Sequence, residues 1–546
     1  MRKLSKLTSL LLAVVMLLGG VALAEFDAAA NTFPIADEKI PLTVTIYGAR
    51  TEIEDWETNF VCNYWEEKLG LDITWIPVPT ATADEKIMAD FASDNISDVI
   101  FGGLNKDTAV AYGAQGKLLP LNDLIEEWGV NIAAIQEEHP EYIPSITSPD
   151  GNIYFLAEIR ELDANHTAAP GKLLINTKWL ENVGKEVPTT VDELYEVLVA
   201  FKEEDANGNG DPDDEIPLYA TGFNRVGSYI MQAFTYLGFN DVSPNYFFFE
   251  DDGSINVSYA TEGWKEGLAF LNKLYSEGLY DPECFIADAS AAKKLTGAET
   301  GNRIGCAESY SYSGLMNLTD VDLCNEFEFI EPLYNADGVR VTAANSITMT
   351  PMFFVSAKCS NPEAAIRLAD AMLVDPFAND MAGLNGIYGP EGEGWARAAE
   401  GETNAIGEPA LYKWLFTWGQ PNNINVHENF MENYVAELKG GVAATVTPDA
   451  YNQEAALLGA TVELYIPYAQ YRTVSPMVMF TESEVNEVSA VKTEIETFVE
   501  EATTKFITGE LNVENDWDKY LENLETYRLS WLLEMYETAY DRQFRK

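Results

Sequence analysis

Apolar and polar positions alternate with period two over residues 42–49, Leu-Thr-Val-Thr-Ile-Tyr-Gly-Ala, which predicts a strand. A helix follows through Trp65, Glu66 and Lys68 and closes at Gly70. Residues 71–78 read as a second strand, 86–92 as a helix, and 98–101 as a short buried strand ending in Gly102 and Gly103. Strand, helix, strand, helix, strand predicts an α/β sheet with parallel strands. In such sheets ligands sit beyond the carboxyl ends of the strands. The loops that begin at Arg50 and Gly102 are therefore candidate ligand loops.

Further along, 121–128 is a short amphipathic helix, and the turn at 148–151 leads into a strand over 153–159. Residues 173–176 form another strand, followed by a helix carrying Trp179 and Leu180. Thr190 and Glu193 make a capping box. Behind it Leu194, Val197, Leu198 and Phe201 recur at helical spacing. The spacing predicts a helix over 225–237, a hairpin over 246–255 turning at Asp252-Gly253, and a helix over 264–275. Strands follow at 302–307 and 348–356. Asn361-Pro362 opens a helix that runs to Val374. Thr481 and Glu484 cap a helix whose apolar face is Val485, Val488, Ile495, Phe498 and Val499. Residues 517–540 make a last helical pair. Trp179 and Trp517 fall on apolar helix faces and read as core.

One polar stretch interrupts this pattern. Residues 205–217 read Asp-Ala-Asn-Gly-Asn-Gly-Asp-Pro-Asp-Asp-Glu-Ile-Pro. Asp205, Asn207 and Asn209 place a side-chain oxygen at every second position, and Asp211, Asp213, Asp214 and Glu215 add anionic oxygens. Ca²⁺ takes about 6–8 oxygen ligands, and a tight loop with oxygens at positions 1, 3 and 5 supplies them. Position 12 of an EF-hand loop would be Glu, and here it is Ile216. One of Asp213, Asp214 and Glu215 must then close the shell. The competing reading is a polar surface turn.

The chain has 546 residues, which is too long for one core and predicts two domains or lobes. Hydrophobic content of 47% excludes a disordered chain. Arg2, Lys3 and Lys6, the apolar run 10–18 and Ala22-Leu23-Ala24 read as a cleaved signal peptide over 1–24. Residues 25–40 read as a flexible leader. No later run is long enough to span a membrane. The first cysteine, Cys62, comes too late to anchor a lipid. A formal net charge of −54 argues against nucleic acid and anionic membranes as partners. Five scattered cysteines predict buried thiols rather than a disulfide framework. Three histidines show no metal spacing, and no P-loop or G-x-S-x-G elbow occurs. A carboxylate pair of a glycoside hydrolase stays open, because 88 acids make accidental pairs certain.

The order of elements, with Asp98-Val-Ile-Phe, Leu118-Leu-Pro-Leu-Asn-Asp-Leu-Ile, Ser148-Pro-Asp-Gly-Asn-Ile-Tyr, Asn176-Thr-Lys-Trp-Leu-Glu-Asn-Val-Gly, Val187-Pro-Thr-Thr-Val-Asp-Glu-Leu and Lys505-Phe-Ile-Thr-Gly, resembles the extracellular solute-binding proteins of ABC transporters, sugar-binding type. The Asp205 loop resembles the calcium loop of the subgroup that includes the alginate-binding proteins and LplA-type lipoproteins. One extra residue precedes Asp214-Glu215-Ile216-Pro217. That family is usually lipid-anchored in Gram-positive bacteria. Without a lipobox cysteine, the resemblance implies a periplasmic protein or one held at the cell surface another way.

The resemblance implies a periplasmic-binding-protein-like II fold: two α/β lobes joined by crossing strands, with a ligand cleft between them. Crossings are expected near 154–160, 343–352 and 414–423. The first lobe would comprise 41–157 and about 343–415, the second 158–342 and about 416–546. It also implies a monomer that captures an oligosaccharide, carries structural Ca²⁺, delivers its ligand to a membrane permease and catalyses nothing. A peptide or a charged sugar is the alternative ligand. Sugar clefts combine aromatic faces with polar groups that fix hydroxyls. By position the candidates are Arg50, Trp56, Gly103, Asn105, Asp107, Glu158, Arg160, Asn224, Arg225, Tyr310, Tyr312 and Trp418. Packing for the aromatics and surface pairing for the charges is the competing reading for each.

Overall fold

The computed structural model describes residues 30–162, 166–222, 225–240, 243–286, 289–297, 301–404, 406–416, 421–426, 429–430, 442–443 and 450–545. The 1–24 segment lies outside them.

The first sheet begins as the periodicity predicts. Strand β1 (Ile40–Ala49) is followed by helix α1 (Phe60–Leu69), β2 (Leu71–Pro79), α2 (Thr80–Ser93), β3 (Val99–Phe101) and α3 (Lys106–Ala114). The chain then reaches β4 (Leu156–Glu161) and crosses to β5 (Leu173–Asn176) of a second sheet. That sheet is built with α4 (Val191–Glu203), β6 (Ile216–Ala220), α5 (Glu262–Ser276), β7 (Ile304–Glu308) and β8 (Phe327–Phe329). Strand β9 (Ile347–Val355) returns to the first sheet and leads into α6 (Pro362–Met372). The chain closes with α7 (Glu482–Thr508), α8 (Val513–Thr526) and α9 (Leu529–Phe544).

The first sheet has the order β2-β1-β3-β9-β4 and the second β8-β5-β7-β6. Strands β1, β2 and β3 are parallel, while β9 runs antiparallel to both β3 and β4. Two large apolar cores result. One holds residues of β1–β4, β9 and α6. The other holds β5–β8, α5 and the three C-terminal helices. In the crossing pair, Glu158 lies opposite Thr350 and Arg160 opposite Thr348. Their intervening neighbours, Ala157 and Ile159, are fully buried in the first core. Period-two alternation thus gives β4 one apolar face and one charged face.

Three expectations shift. The leader is tied down from Ala30 onward. Ala30 is buried, the Ile35 N–H donates to the Leu69 carbonyl, and buried Arg367 donates to the Thr32 carbonyl while lying over the Phe33 ring. The strand expected at 153–159 begins at Leu156. The helix expected over 225–237 reduces to one 3₁₀ turn, Ile230–Ala233. Here the buried Glu308 carboxylate captures the N–H groups of Gly227, Tyr229 and Ile230, which a regular helix would direct along its own axis. The third crossing, expected at 414–423, falls partly on 417–420, which lie outside the described residues. Trp414 pairs with Trp395 in a small hairpin, Val426 and Phe430 belong to the first core, and Leu457 belongs to the second.

Of the cysteines, Cys62, Cys284, Cys306 and Cys324 are buried and Cys359 is half-buried, all as free thiols. Burial pushes their pKa values up, to about 11 for Cys324 and Cys359. Among the described residues no helix is long and apolar enough to cross a membrane.

Candidate functional site

The crossing strands border a cavity of about 640 Å³. Glu158 and Arg160 of β4 line it, with Asn345, Thr348, Thr350 and Met352 from the return path. Phe239, Phe249 and the segment 471–477 complete the wall on one side, with Tyr540 and Phe544 of α9. Glu158 is buried, and its Oε1 accepts a hydrogen bond from Arg160 Nη2 at 3.2 Å. That charge-assisted contact orients the guanidinium at the cavity wall. The lining mixes hydroxyl, amide and charged groups with aromatic rings.

A second cluster lies at the carboxyl end of β7. Glu308 ends this strand fully buried, with its carboxylate satisfied by three backbone N–H groups and the Tyr280 hydroxyl. Two residues later Tyr310 leaves the sheet half-buried. Its ring centre lies 5.6 Å from that of His166, 5.6 Å from Lys172 Nζ and 5.7 Å from Arg225 Cζ. Lys172 is fully buried and donates to the carbonyls of His166 and Ala169. Burial, reinforced by the Arg225 charge, holds its pKa well below the usual lysine range. Burial, with the Lys172 and Arg160 charges, pushes His166 down to about 4, so its imidazole is neutral at neutral pH. Arg160 links the two regions: it lines the cavity, and its charge reaches His166.

The remaining candidates divide sharply. Arg50 sits at the end of β1, its N–H donating to Asn429 Oδ1 at 3.2 Å and its guanidinium 3.7 Å from Glu52. Trp56 is buried in the first core, 6.3 Å from Phe430, and is a packing residue. Gly103 has φ +76°, and a Cβ there would lie 2.7 Å from Tyr47 Cβ, so it serves close packing. Asn105 is the N-cap of α3, accepting from Thr108 N–H at 2.9 Å. Asp107 pairs with Lys106 at 2.9 Å. Tyr312 is buried, its hydroxyl donating to the Phe327 carbonyl at 2.9 Å, and its ring packs 4.7 Å from Tyr451. Asn224 and Trp418 lie outside the described residues.

His166 and Lys172 escaped the sequence reading. The available signal was a lysine at the entrance of a strand that is otherwise wholly apolar, Lys172-Leu-Leu-Ile-Asn.

The polar loop joins α4 to the amino end of β6. Strands β6 and β7 are parallel, so Tyr310 emerges from the opposite end of the sheet. A five-residue strand spans about 16 Å, which keeps the loop away from the cleft. Asn207 Oδ1 accepts from Asn209 N–H at 2.9 Å, and Asn209 Oδ1 from Asp211 N–H at 2.7 Å. The Asp214 carboxylate is engaged by the side-chain amides of Asn207 and Asn209, at 2.8 and 3.1 Å. Two buried oxygens, Asp205 Oδ1 and Glu215 Oε2, have no hydrogen-bond partner. Burial, with the Asp214 and Asp205 charges, raises the pKa of Glu215. Orphaned carboxylate oxygens in an all-oxygen loop fit a hard cation. Among the described residues no three His, Cys, Asp or Glu side chains converge as a metal cluster.

The arrangement of two α/β lobes, a paired crossing and a cavity against it is shared with known solute-binding proteins. The family described as bacterial extracellular solute-binding protein matches residues 50–281. The fructooligosaccharide ABC transporter substrate-binding protein FusA of Streptococcus pneumoniae is 25% identical over 539 residues, covering 94% of this chain and 92% of FusA. The polygalacturonan/rhamnogalacturonan-binding protein YtcQ of Bacillus subtilis is 22% identical, covering 86% and 85%. The HMO-binding, ABC-transporter-associated solute-binding protein of Bifidobacterium longum infantis shares the fold with a TM-score of 0.75 at 20% identity, over 93% of this chain and 100% of that one. FusA in complex with kestose gives 0.67, and FusA has also been solved as an EF-hand mutant.

Proposed function

We propose that this protein captures an oligosaccharide between its two lobes outside the cytoplasm and presents it to the permease of an ABC importer. The observation that carries the reading is the 640 Å³ cavity at the crossing strands, lined by the Glu158–Arg160 pair, hydroxyls, amides and aromatic rings. Hydroxyl-rich ligands need that mixture of fixed polar groups and apolar faces. The carbohydrate ligands named for FusA and YtcQ support it. So does their standing as binding proteins rather than enzymes. No bond is made or broken: a ligand that touches both lobes stabilises the closed arrangement in proportion to its extra contacts there. The permease then recognises closure.

The proposal includes a structural Ca²⁺ in the 205–215 loop. Asp205 and Glu215 would hold it with their orphaned oxygens, and Asn207 and Asn209 would add neutral ones. Asp214, already engaged by two amides, is the less suited of the closing acids. The ion would neutralise carboxylates that otherwise repel one another at the head of β6.

The test is a thermal-shift and calorimetric screen of the full chain against fructo-, gluco- and galacturono-oligosaccharides. Binding raises apparent stability as RT ln(1 + [L]/Kd), so one class should raise Tm and titrate to a single site. Turnover of a bound glycoside, with no intact ligand recovered from the complex, would transfer the protein to the hydrolases.

A further inference from the structure

The cavity at the crossing is poor in charge. Among the described residues its wall carries two acids and one base, Glu141, Glu158 and Arg160. Every other polar side chain of the lining is a hydroxyl or an amide, such as Asn240, Asn345 and Thr348. Glu158 and Arg160 stand two apart on β4, so both face the cavity while Ala157 and Ile159 enter the first core. The Glu158 side chain is 8% exposed and that of Arg160 32%. Glu158 Oε1 accepts from Arg160 Nη2 at 3.2 Å. The guanidinium that reaches the ligand space is therefore matched by an anion behind it.

The cations nearest this wall in sequence are turned to other acids. Arg472 follows Tyr471 of the lining. Its Nε donates to the Phe249 carbonyl at 2.7 Å, and its Nη2 lies 3.4 Å from Glu250 and 3.5 Å from Asp251. Arg545 follows Phe544 and pairs with Asp541 at 2.9 Å and Glu537 at 3.2 Å. Lys172 and Arg225 lie off the cavity and donate to the backbone carbonyls of His166, Ala169 and Pro170.

This arrangement suits a hydroxyl better than a carboxylate. A carboxylate is held best by a guanidinium that offers it two parallel N–H groups. Arg160 already directs one Nη at Glu158. A uronate brought here would also meet the charges of Glu158 and Glu141, and like charges placed together oppose binding. A sugar hydroxyl both accepts and donates, so one hydroxyl can accept from Arg160 while another donates to Glu158.

We propose that the Glu158–Arg160 pair makes the site selective for uncharged oligosaccharides over uronates, with Glu158 as the residue that sets the selectivity. This rests on the carbohydrate reading above.

The experiment is titration calorimetry on the full chain, with kestose and maltotriose as uncharged probes and trigalacturonate as the charged one. The unsubstituted protein should bind the better uncharged probe at least about tenfold more tightly than trigalacturonate. Glu158→Gln keeps the shape and removes the charge. It should shift the preference about tenfold toward trigalacturonate, and the gained affinity should fall as NaCl is raised. Adding Arg160→Gln to that variant should abolish the gain. Glu141→Gln, on an exposed side chain away from the buried pair, should shift the preference the same way by about twofold. If trigalacturonate binds the unsubstituted protein as tightly as the uncharged probes, the selectivity falls and the carbohydrate reading stands. If the preference holds but a folded Glu158→Gln leaves it unchanged, Glu158 does not set it. If Glu158→Gln does not fold, Glu141→Gln decides, and no shift toward trigalacturonate overturns the electrostatic origin. If none of the three probes binds and the oligosaccharide screen is also empty, the carbohydrate reading falls and the selectivity with it.

Discussion

The loops at the carboxyl ends of the two sheets face similar tasks and are built differently. In the first lobe each candidate group is already committed. Asn105 caps α3, Gly103 makes room for Tyr47 and Ile87, and Trp56 fills the core. In the second lobe, Tyr310 and His166 remain half-buried, while the committed groups, Lys172 and Arg225, lie behind them. The difference teaches that position after a strand does not make a ligand residue. A helix that starts within a few residues of the strand must satisfy its first N–H groups, and nearby side chains are spent on that. Trp56→Ala breaks or sustains this division most strongly. Deleting a buried indole should cost about 3–5 kcal/mol, measured by urea unfolding. A variant of normal stability with lost ligand affinity would return Trp56 to the cleft.

The second sheet carries a further contrast between its own ends. Its carboxyl end presents rings and cations, its amino end the Asp205 loop with two orphaned carboxylate oxygens. If the amino end is a structural clip, calcium at about a hundred times its Kd should stabilise the fold by about 2.7 kcal/mol. EDTA should reverse the gain. Glu215→Gln should abolish the calcium response while leaving oligosaccharide affinity in place. A calcium response that persists in this variant would shift the closing ligand to Asp213 or Asp214.

First-lobe helix starts also recruit acids from a distance. The buried Asp370 carboxylate accepts the N–H groups of Asn131 and Ile132, at 2.8 and 2.9 Å. Burial still pushes its pKa from 3.8 up to about 6. The sign follows from linkage. The folded state binds the proton more tightly than the unfolded chain, so this group's contribution is fully present below about pH 4. It is lost as pH rises through about 6. The loss is on the order of 3 kcal/mol, and Asp370→Asn should remove it from the pH profile of unfolding. A profile identical in the variant would mean that Asp370 does not titrate in that window.

Much of this was legible in the sequence. Period-two alternation located β1, short apolar runs located β2, β3 and β9, and the caps at Asn361 and Thr481 located α6 and α7, because those signals depend on neighbours only a few residues away. The signal failed where a distant group decided the outcome. The Glu308 carboxylate, 78 residues beyond Ile230, turned an amphipathic helix pattern into a single 3₁₀ turn. Glu158, Arg160 and Arg225 were picked by position and lie at the cavity or beside Tyr310. His166 and Lys172 could not be picked, since only the folded chain sets a buried lysine under a histidine.

The smallest expected effect gives the sharpest discrimination between the lobes. Asn105 Oδ1 accepts one N–H at the start of α3, from Thr108 at 2.9 Å. Removing an N-cap side chain costs about 1 kcal/mol, and replacing it with another capping residue costs little. Asn105→Ala should therefore lower stability by about that amount, and Asn105→Ser should restore most of it. Oligosaccharide affinity should not change in either variant. An asparagine that touched ligand would behave oppositely: alanine and serine would both lose affinity, because alanine has no polar group and the shorter serine hydroxyl cannot place a separate donor and acceptor where the carboxamide does. The comparison turns on one side chain, and it separates a first lobe that supplies scaffold from one that supplies contacts.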